Sequence, residues 1–277
     1  MTGTDLKNPA KDLVSAKEWD PAKDWDPAQY LRFDDQRLRP ALDLLAQVPL
    51  AAPDLVVDLG CGPGNVTPVL RRRFPAAQLL GVDASAAMLA KARLAVPDAS
   101  FAEGDFSTWT PSGEAPTLIY SNAALHWVGG HAALFPRLVS LLAPGGVLAV
   151  QMPLMHGAPL RRLQHEVAEH GPWAEALRNV GSAPPVLEPG DYWDILRPLV
   201  SFLDIWETTY LHVLQGEDAA VEWAAGSSLR PFLDPLSADQ RTAFRRAYAD
   251  AVRPHYPQRA DGTTLLPFRR LFMVGRR

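Results

Sequence analysis

The 277 residues include a single cysteine, Cys61, so no internal disulfide can form. Cys61 lies inside a glycine-rich turn with no evident base beside it, and a small packing side chain is the expected role. No stretch approaches the ~20 apolar residues that span a bilayer, and the polar start from Met1 to Asp12 lacks the apolar core of a signal peptide. A reducing, cytoplasmic setting is expected. There is no excess of positive charge either: 27 Lys and Arg against 31 Asp and Glu leave a formal charge of -4. That balance argues against a nucleic-acid or anionic-membrane partner, both of which call for a basic face. A small molecule is the expected partner, and composition says nothing of the oligomeric state.

What remains is an ordinary globular composition, 47% hydrophobic and 21% charged, long enough for one domain with embellishments. Near the start, Ala16-Lys17-Glu18-Trp19-Asp20-Pro21 is followed by the near-copy Ala22-Lys23-Asp24-Trp25-Asp26-Pro27. Two copies are too few for a repeat fold. Residues 1–24 are therefore expected to be a leader ahead of a single domain over 25–277.

After Pro40 the residues Ala41, Leu42, Leu44, Leu45 and Val48 share one helical face, closed by Pro49 and Pro53. The chain then alternates. Strands are expected at Leu55-Val56-Val57, Leu79 to Val82, Ser100 to Ala102, Thr117 to Tyr120 and Val147 to Gln151, with helices from Asn65 to Phe74, Ser85 to Ala95 and Ala132 to Leu142. Ser85 is placed as an N-cap, and Pro68 falls in a first turn, where proline is tolerated. This rhythm predicts an α/β, Rossmann-like, mostly parallel sheet with helices on both faces. Its core is expected over 36–152. Beyond it, helical patches precede a strand from Leu203 to Val213, and a longer helical stretch precedes a last strand from Leu271 to Gly275. The segment 153–277 thus supplies the last two strands and insertions able to cap the sheet's carboxyl edge, the usual ligand side.

The run Asp58-Leu59-Gly60-Cys61-Gly62-Pro63-Gly64-Asn65 sits between a strand and a helix, the context in which a glycine loop carries meaning. Glycine lets the backbone turn sharply and approach a ligand without a Cβ clash. The spacing is Gly-x-Gly-x-Gly with Asn at position 65, so the dinucleotide fingerprint Gly-x-Gly-x-x-Gly is not met. Asp58 can meet an ammonium or organise the loop. Asp83 closes the second strand 19 positions after Gly64, where an acid can accept from both hydroxyls of a ribose. Glu103-Gly104-Asp105-Phe106 follows the third strand, with Asp105 a candidate acceptor for an adenine amino group and Phe106 or Met88 a cover for its ring.

With these residues in view the chain resembles the class I S-adenosylmethionine-dependent methyltransferases, and among them the branch that methylates trans-aconitate. The wider class is matched by the Asp58 to Asn65 loop and Gly81-Val82-Asp83. The branch is matched by Trp25-Asp26-Pro27-Ala28-Gln29-Tyr30-Leu31-Arg32-Phe33, Ser121-Asn122-Ala123-Ala124-Leu125-His126-Trp127, Val150-Gln151-Met152-Pro153, Asp204-Ile205-Trp206-Glu207-Thr208-Thr209-Tyr210, Leu229-Arg230-Pro231-Phe232-Leu233 and Arg270-Leu271-Phe272-Met273-Val274. The resemblance covers nearly everything after residue 24. It departs at 154–157, at 173–188 and at Phe268-Arg269.

The resemblance implies S-adenosyl-L-methionine as cofactor, a seven-stranded sheet, and transfer of the sulfonium methyl group to a carboxylate of trans-aconitate, a small tricarboxylate, giving a monomethyl ester. Another small carboxylic acid is the alternative substrate. The cofactor set expected from loop and resemblance is Asp58, Gly60, Cys61, Gly62, Gly64, Asp83, Ala84, Met88, Gly104, Asp105, Phe106 and Asn122. Carboxylates titrate near pH 4, so at about pH 7 the nucleophile is already ionised and no general base is required. Arginine offers carboxylates a planar two-pronged fit, which makes Arg230 and Arg270 the expected anchors. Tyr30, Phe33, His126, Trp127, Tyr192 and Tyr210 complete the substrate set, with aromatic walls excluding water.

Overall fold

The computed structural model describes residues 34–181, Pro184 and residues 186–277. Trp25, Tyr30, Phe33 and the leader lie outside the described residues.

Helix α1 (Asp34–Ala46) leads into the alternating core: β1 (Leu55–Leu59), α2 (Thr67–Arg73), β2 (Gln78–Asp83), α3 (Ala86–Ala95), β3 (Ser100–Glu103), β4 (Leu118–Asn122), α4 (His131–Leu141) and β5 (Val147–Pro153). The remainder is α5 (Pro159–Glu169), α6 (Ala174–Leu177), α7 (Pro189–Leu196), β6 (Phe202–Gln215), α8 (Ala219–Ala225), α9 (Arg230–Leu233), α10 (Ala238–Val252) and β7 (Thr263–Arg276). The start of α1 differs from the sequence reading, since Pro40 lies inside the helix instead of opening it. Ser85 caps α3 as expected, its hydroxyl accepting from the Met88 N–H at 3.3 Å.

The strands form one seven-stranded sheet in the order β3-β2-β1-β4-β5-β7-β6, parallel from β3 to β5 and antiparallel at β7. Winding runs outward through β1, β2 and β3, then crosses to β4 and β5. The crevice between the carboxyl ends of β1 and β4 is therefore the topological switch point, where open α/β sheets bind their ligands.

Strand alternation sorts the side chains into two layers. Val57, Ile119, Leu148, Val150, Met152 and Leu271 face α4 and α7 through Phe135, Leu138, Tyr192 and Leu196. On the opposite face Val56, Tyr120, Ala149 and Phe272 meet Leu44 and Leu45 of α1 and Val69 and Leu70 of α2.

The closing hairpin is longer than its apolar signal. β6 and β7 pair over their whole length, from Phe202↔Arg276 to Gln215↔Thr263, whereas β5 pairs with β7 only as far as Pro153↔Arg270. Past Arg270 the hairpin leaves the sheet and becomes a platform for the cap. Leu214 and Leu266 there join a separate core with Leu160, Leu163, Trp223, Phe232, Phe244 and Tyr248 from α5, α8, α9 and α10. That outer half carries Pro267, Arg269 and threonines, so hydrophobic runs alone do not reveal it. Arg270 stands where sheet and cap meet. No helix among the described residues is long and apolar enough to cross a membrane.

Candidate active site

After β1 the chain turns at Gly60, whose φ is +80°. A Cβ at this position would lie 2.2 Å from the Cβ of Ala124, so only glycine lets the loops after β1 and β4 close on each other. Gly64 has φ +87°, and a Cβ on it would sit 3.2 Å from the Cα of Ala92 in α3. The N–H groups of Gly60 and Cys61 both donate to the carbonyl of Val82, at 2.7 and 3.1 Å, tying the loop to β2. Cys61 itself is buried; burial and the nearby Asp58 and Asp83 push its thiol far up, so it stays protonated.

Three acids frame the loop. Asp58 is buried, with its Oδ2 accepting from the Thr67 hydroxyl at 2.8 Å. Burial pushes its carboxyl up to about 7; the Thr67 bond pulls down and the charge of Asp83 pushes up again. Asp83 takes one backbone N–H on each oxygen, Gly62 on Oδ2 and Ser85 on Oδ1, both at 2.9 Å. Burial raises its pKa, against the pull of these two bonds. Each oxygen retains a lone pair for a ligand hydroxyl. Asp105 is exposed, with Oδ1 accepting from the N–H and hydroxyl of Ser107 at 2.8 and 2.7 Å.

Arg137 was not among the site residues expected from sequence, yet it holds this last loop. From α4 its guanidinium donates to the carbonyl of Trp109 at 2.6 Å and to that of Phe106. Phe106 is thereby held against Gly60, and Gly104 lies under the Trp109 ring. Met88 is half-buried at the start of α3, and Ala84 is exposed at the end of β2. Asn122 ends β4 with a buried Oδ1 that has no partner among the described residues. Next to it Ala123 adopts φ +52°, a left-handed conformation that a non-glycine residue tolerates only when its surroundings enforce it. Its N–H donates to the carbonyl of Gln151 at 2.9 Å.

His126 and Trp127 lie on the short turn after β4, their rings 4.3 Å apart. His126 is buried, and its Nδ1 has no hydrogen-bond partner among the described residues. Burial first, then the charges of Arg161 and Arg270, hold its pKa well below the usual histidine range, so it is neutral at pH 7. Arg270 is 4% exposed and donates through Nη1 to Gln151 Oε1 at 3.2 Å, with its guanidinium 4.8 Å from the Phe268 ring centroid. Arg230, half-buried at the start of α9, keeps a buried Nη1 without a partner among the described residues.

The two tyrosines are placed otherwise than the sequence reading expected. Tyr192 is fully buried in the layer between sheet and α4, its hydroxyl 2.5 Å from His131 Nδ1 and accepting from the Leu187 N–H at 3.3 Å. With its hydroxyl engaged in the core, Tyr192 braces the turn that carries His126, since His131 in turn bonds the Leu125 carbonyl at 3.0 Å. Tyr210 faces α1, donating to Asp43 Oδ2 at 2.6 Å, although the charge of Arg270 still reaches it.

A family model described as a methyltransferase domain matches residues 56–146, which span β1 to the turn before β5. Over 262 residues the chain is 50% identical to the trans-aconitate 2-methyltransferase of Paracidovorax citrulli, covering 94% of this chain and 98% of that one. The namesake from Methylobacterium radiotolerans is also 50% identical, with the same coverage of both chains. The chain belongs to the trans-aconitate 2-methyltransferase family. Solved structures agree on the fold. The YcgJ protein from Bacillus subtilis superposes with a TM-score of 0.56 at 12% identity, covering 86% of this chain and 97% of that one. Phosphoethanolamine N-methyltransferase 2 of Haemonchus contortus, with S-adenosylhomocysteine, gives a TM-score of 0.51 at 17% identity over 86% of this chain and 52% of that one.

Proposed function

We propose that the chain transfers a methyl group from S-adenosyl-L-methionine to a carboxylate of trans-aconitate, giving the monomethyl ester and S-adenosylhomocysteine. Arg270 carries this reading: a buried guanidinium where sheet meets cap, held by Gln151, whose charge bears on the buried His126.

The loop fits the cofactor. Asp83 and the unclaimed Asn122 Oδ1 are acceptors suited to ribose hydroxyls and an ammonium, and Phe106, pinned by Arg137, offers a flat apolar face to adenine. When bound, S-adenosylmethionine supplies an electrophilic methyl group on a sulfonium.

The chain's own residues bind, orient and dry. The substrate carboxylate is ionised at pH 7 and attacks without a base. A guanidinium fork on the reacting oxygens would lower their nucleophilicity, so Arg230 and Arg270 hold the carboxylates that do not react. Fixing those ends orients the third for in-line attack, where correct placement is worth many orders of magnitude in effective concentration. His126, kept neutral, supplies a hydrogen-bonding Nδ1 rather than a proton relay. Trp127 beside it excludes the water that would otherwise solvate the attacking oxygen. The formal charge of -4 gives no general attraction for a nucleic acid, so in a cytoplasmic enzyme of a small anion the attraction falls to the guanidiniums of the site.

Paired variants test the assignment. Arg230→Ala lowers kcat/KM for trans-aconitate with cofactor affinity nearly unchanged, and Asp83→Ala weakens cofactor binding in calorimetry. Exchanged effects would refute the placement.

A further inference from the structure

One cation near the site is assigned no partner by the fold. Arg161 lies in the first turn of α5, whose backbone is clamped at the preceding residue. The Tyr248 hydroxyl donates to the Leu160 carbonyl at 2.5 Å, and the Leu160 N–H donates to the Tyr256 hydroxyl at 3.3 Å. The base of the Arg161 side chain is thus pre-set by two tyrosines outside α5. The side chain is half-buried and makes no hydrogen bond or ion pair with any described residue.

Its surroundings favour an anion. The titratable neighbour acting on Arg161 is the neutral phenol of Tyr248, and burial works against its charge with no carboxylate to offset it. Its field reaches His126, on which Arg270 also acts, so two guanidiniums bear on one buried imidazole. One turn along the same face of α5, His165 also feels Arg161 and packs its ring 5.0 Å from that of Phe232, two residues past Arg230. Helix α5 thus sets Arg161 one turn from a histidine packed on the α9 segment that carries Arg230, with its charge also bearing on His126. Withdrawing a cation from water without an anion costs free energy, and a carboxylate returning two charge-assisted hydrogen bonds offsets that cost.

We propose that Arg161 is a substrate-binding residue that shares with Arg270 the grip on one of the two carboxylates that do not react, and that it sets the preference for tricarboxylates over dicarboxylates. The inference rests on the reading of the chain as a methyltransferase of trans-aconitate.

Three dicarboxylates each lack one carboxylate of trans-aconitate: glutaconate, itaconate and mesaconate. The test measures kcat/KM for all four acids, or the competitive Ki of an acid that is not turned over, in the wild type and Arg161→Gln. The wild type is expected to prefer trans-aconitate to all three. Arg161→Gln is expected to lose on the order of 10- to 100-fold on trans-aconitate. It should be nearly unchanged towards the one dicarboxylate that lacks the gripped group, so that a single selectivity ratio collapses, with cofactor affinity by calorimetry unaltered. A uniform fall across the four acids, or three preserved ratios, overturns the proposal. Should Arg161→Gln lose cofactor binding, Arg161→Lys decides: it keeps the charge but not the fork, and the same ratio must shrink several-fold. An unshrunken ratio counts against the grip. Wild-type protein inactive on trans-aconitate but active on another acid would overturn the functional reading and this inference with it.

Discussion

Asp58 is the residue where the needs of stability and of function separate most cleanly. It is 3% exposed, and burial lifts its carboxyl from 3.8 to about 7. The folded chain therefore holds this proton over a window in which the unfolded chain has released it. Because the folded-state pKa is the higher one, stability falls as pH rises from about 4 to about 7 and is level above that. A shift of about 3 units corresponds to roughly 4 kcal/mol as an upper bound. Asp58→Asn removes the titration and keeps an oxygen for the Thr67 hydroxyl. The variant should match the wild type near pH 4 and exceed it by about 2 to 4 kcal/mol at pH 8, a rise in Tm of roughly 4 to 16 °C for a domain of this size. The same change should weaken cofactor binding, since the loop loses its anion. Thermal scans of both ligand-free proteins from pH 4 to 8 provide the assay, and the difference between them cancels the other carboxylates. A difference independent of pH would refute the reasoning.

Further outcomes follow from the same contacts. Gly60→Ala places a Cβ 2.2 Å from that of Ala124 at φ +80°, so cofactor binding should be lost by calorimetry even if the protein still melts cooperatively. Tyr192→Phe strips His131 Nδ1 of its partner and should cost about 1 to 3 kcal/mol in denaturant melts. The KM for substrate should stay within about twofold, whereas a large rise in KM would restore Tyr192 as a donor. Because the nucleophile needs no base and His126 is held neutral by burial between guanidiniums, kcat should be flat from about pH 6.5 to 9; a limb with a pKa near that of ordinary histidine, abolished in His126→Asn, would contradict this.

Local chemistry was the most legible part of the sequence. The glycine spacing, Asp83 at the strand end and the Ser85 cap depend on neighbours within a few residues, and each is found where strand alternation placed it. Of the hairpin, β6 is legible nearly whole, whereas β7 shows only its apolar inner end, because its outer half is stabilised by cap helices that sequence periodicity does not connect to it. Side-chain roles that depend on tertiary partners were harder. Tyr192 looks from sequence like a free donor and is consumed by a histidine 61 positions away. Arg137 and Arg161 look like solvated helix arginines, and only the fold shows one spanning two carbonyls of the Phe106 loop and the other left without an acid.

Methyl transfer itself is tested by incubating the purified protein with S-adenosylmethionine carrying a labelled methyl group and trans-aconitate, then identifying the products by mass spectrometry. The predicted result is a singly labelled monomethyl ester of trans-aconitate formed in equal amount with S-adenosylhomocysteine, and its loss in Arg270→Ala under conditions where cofactor still binds. Label that stays on the cofactor with trans-aconitate present, while another small acid becomes methylated, would contradict it.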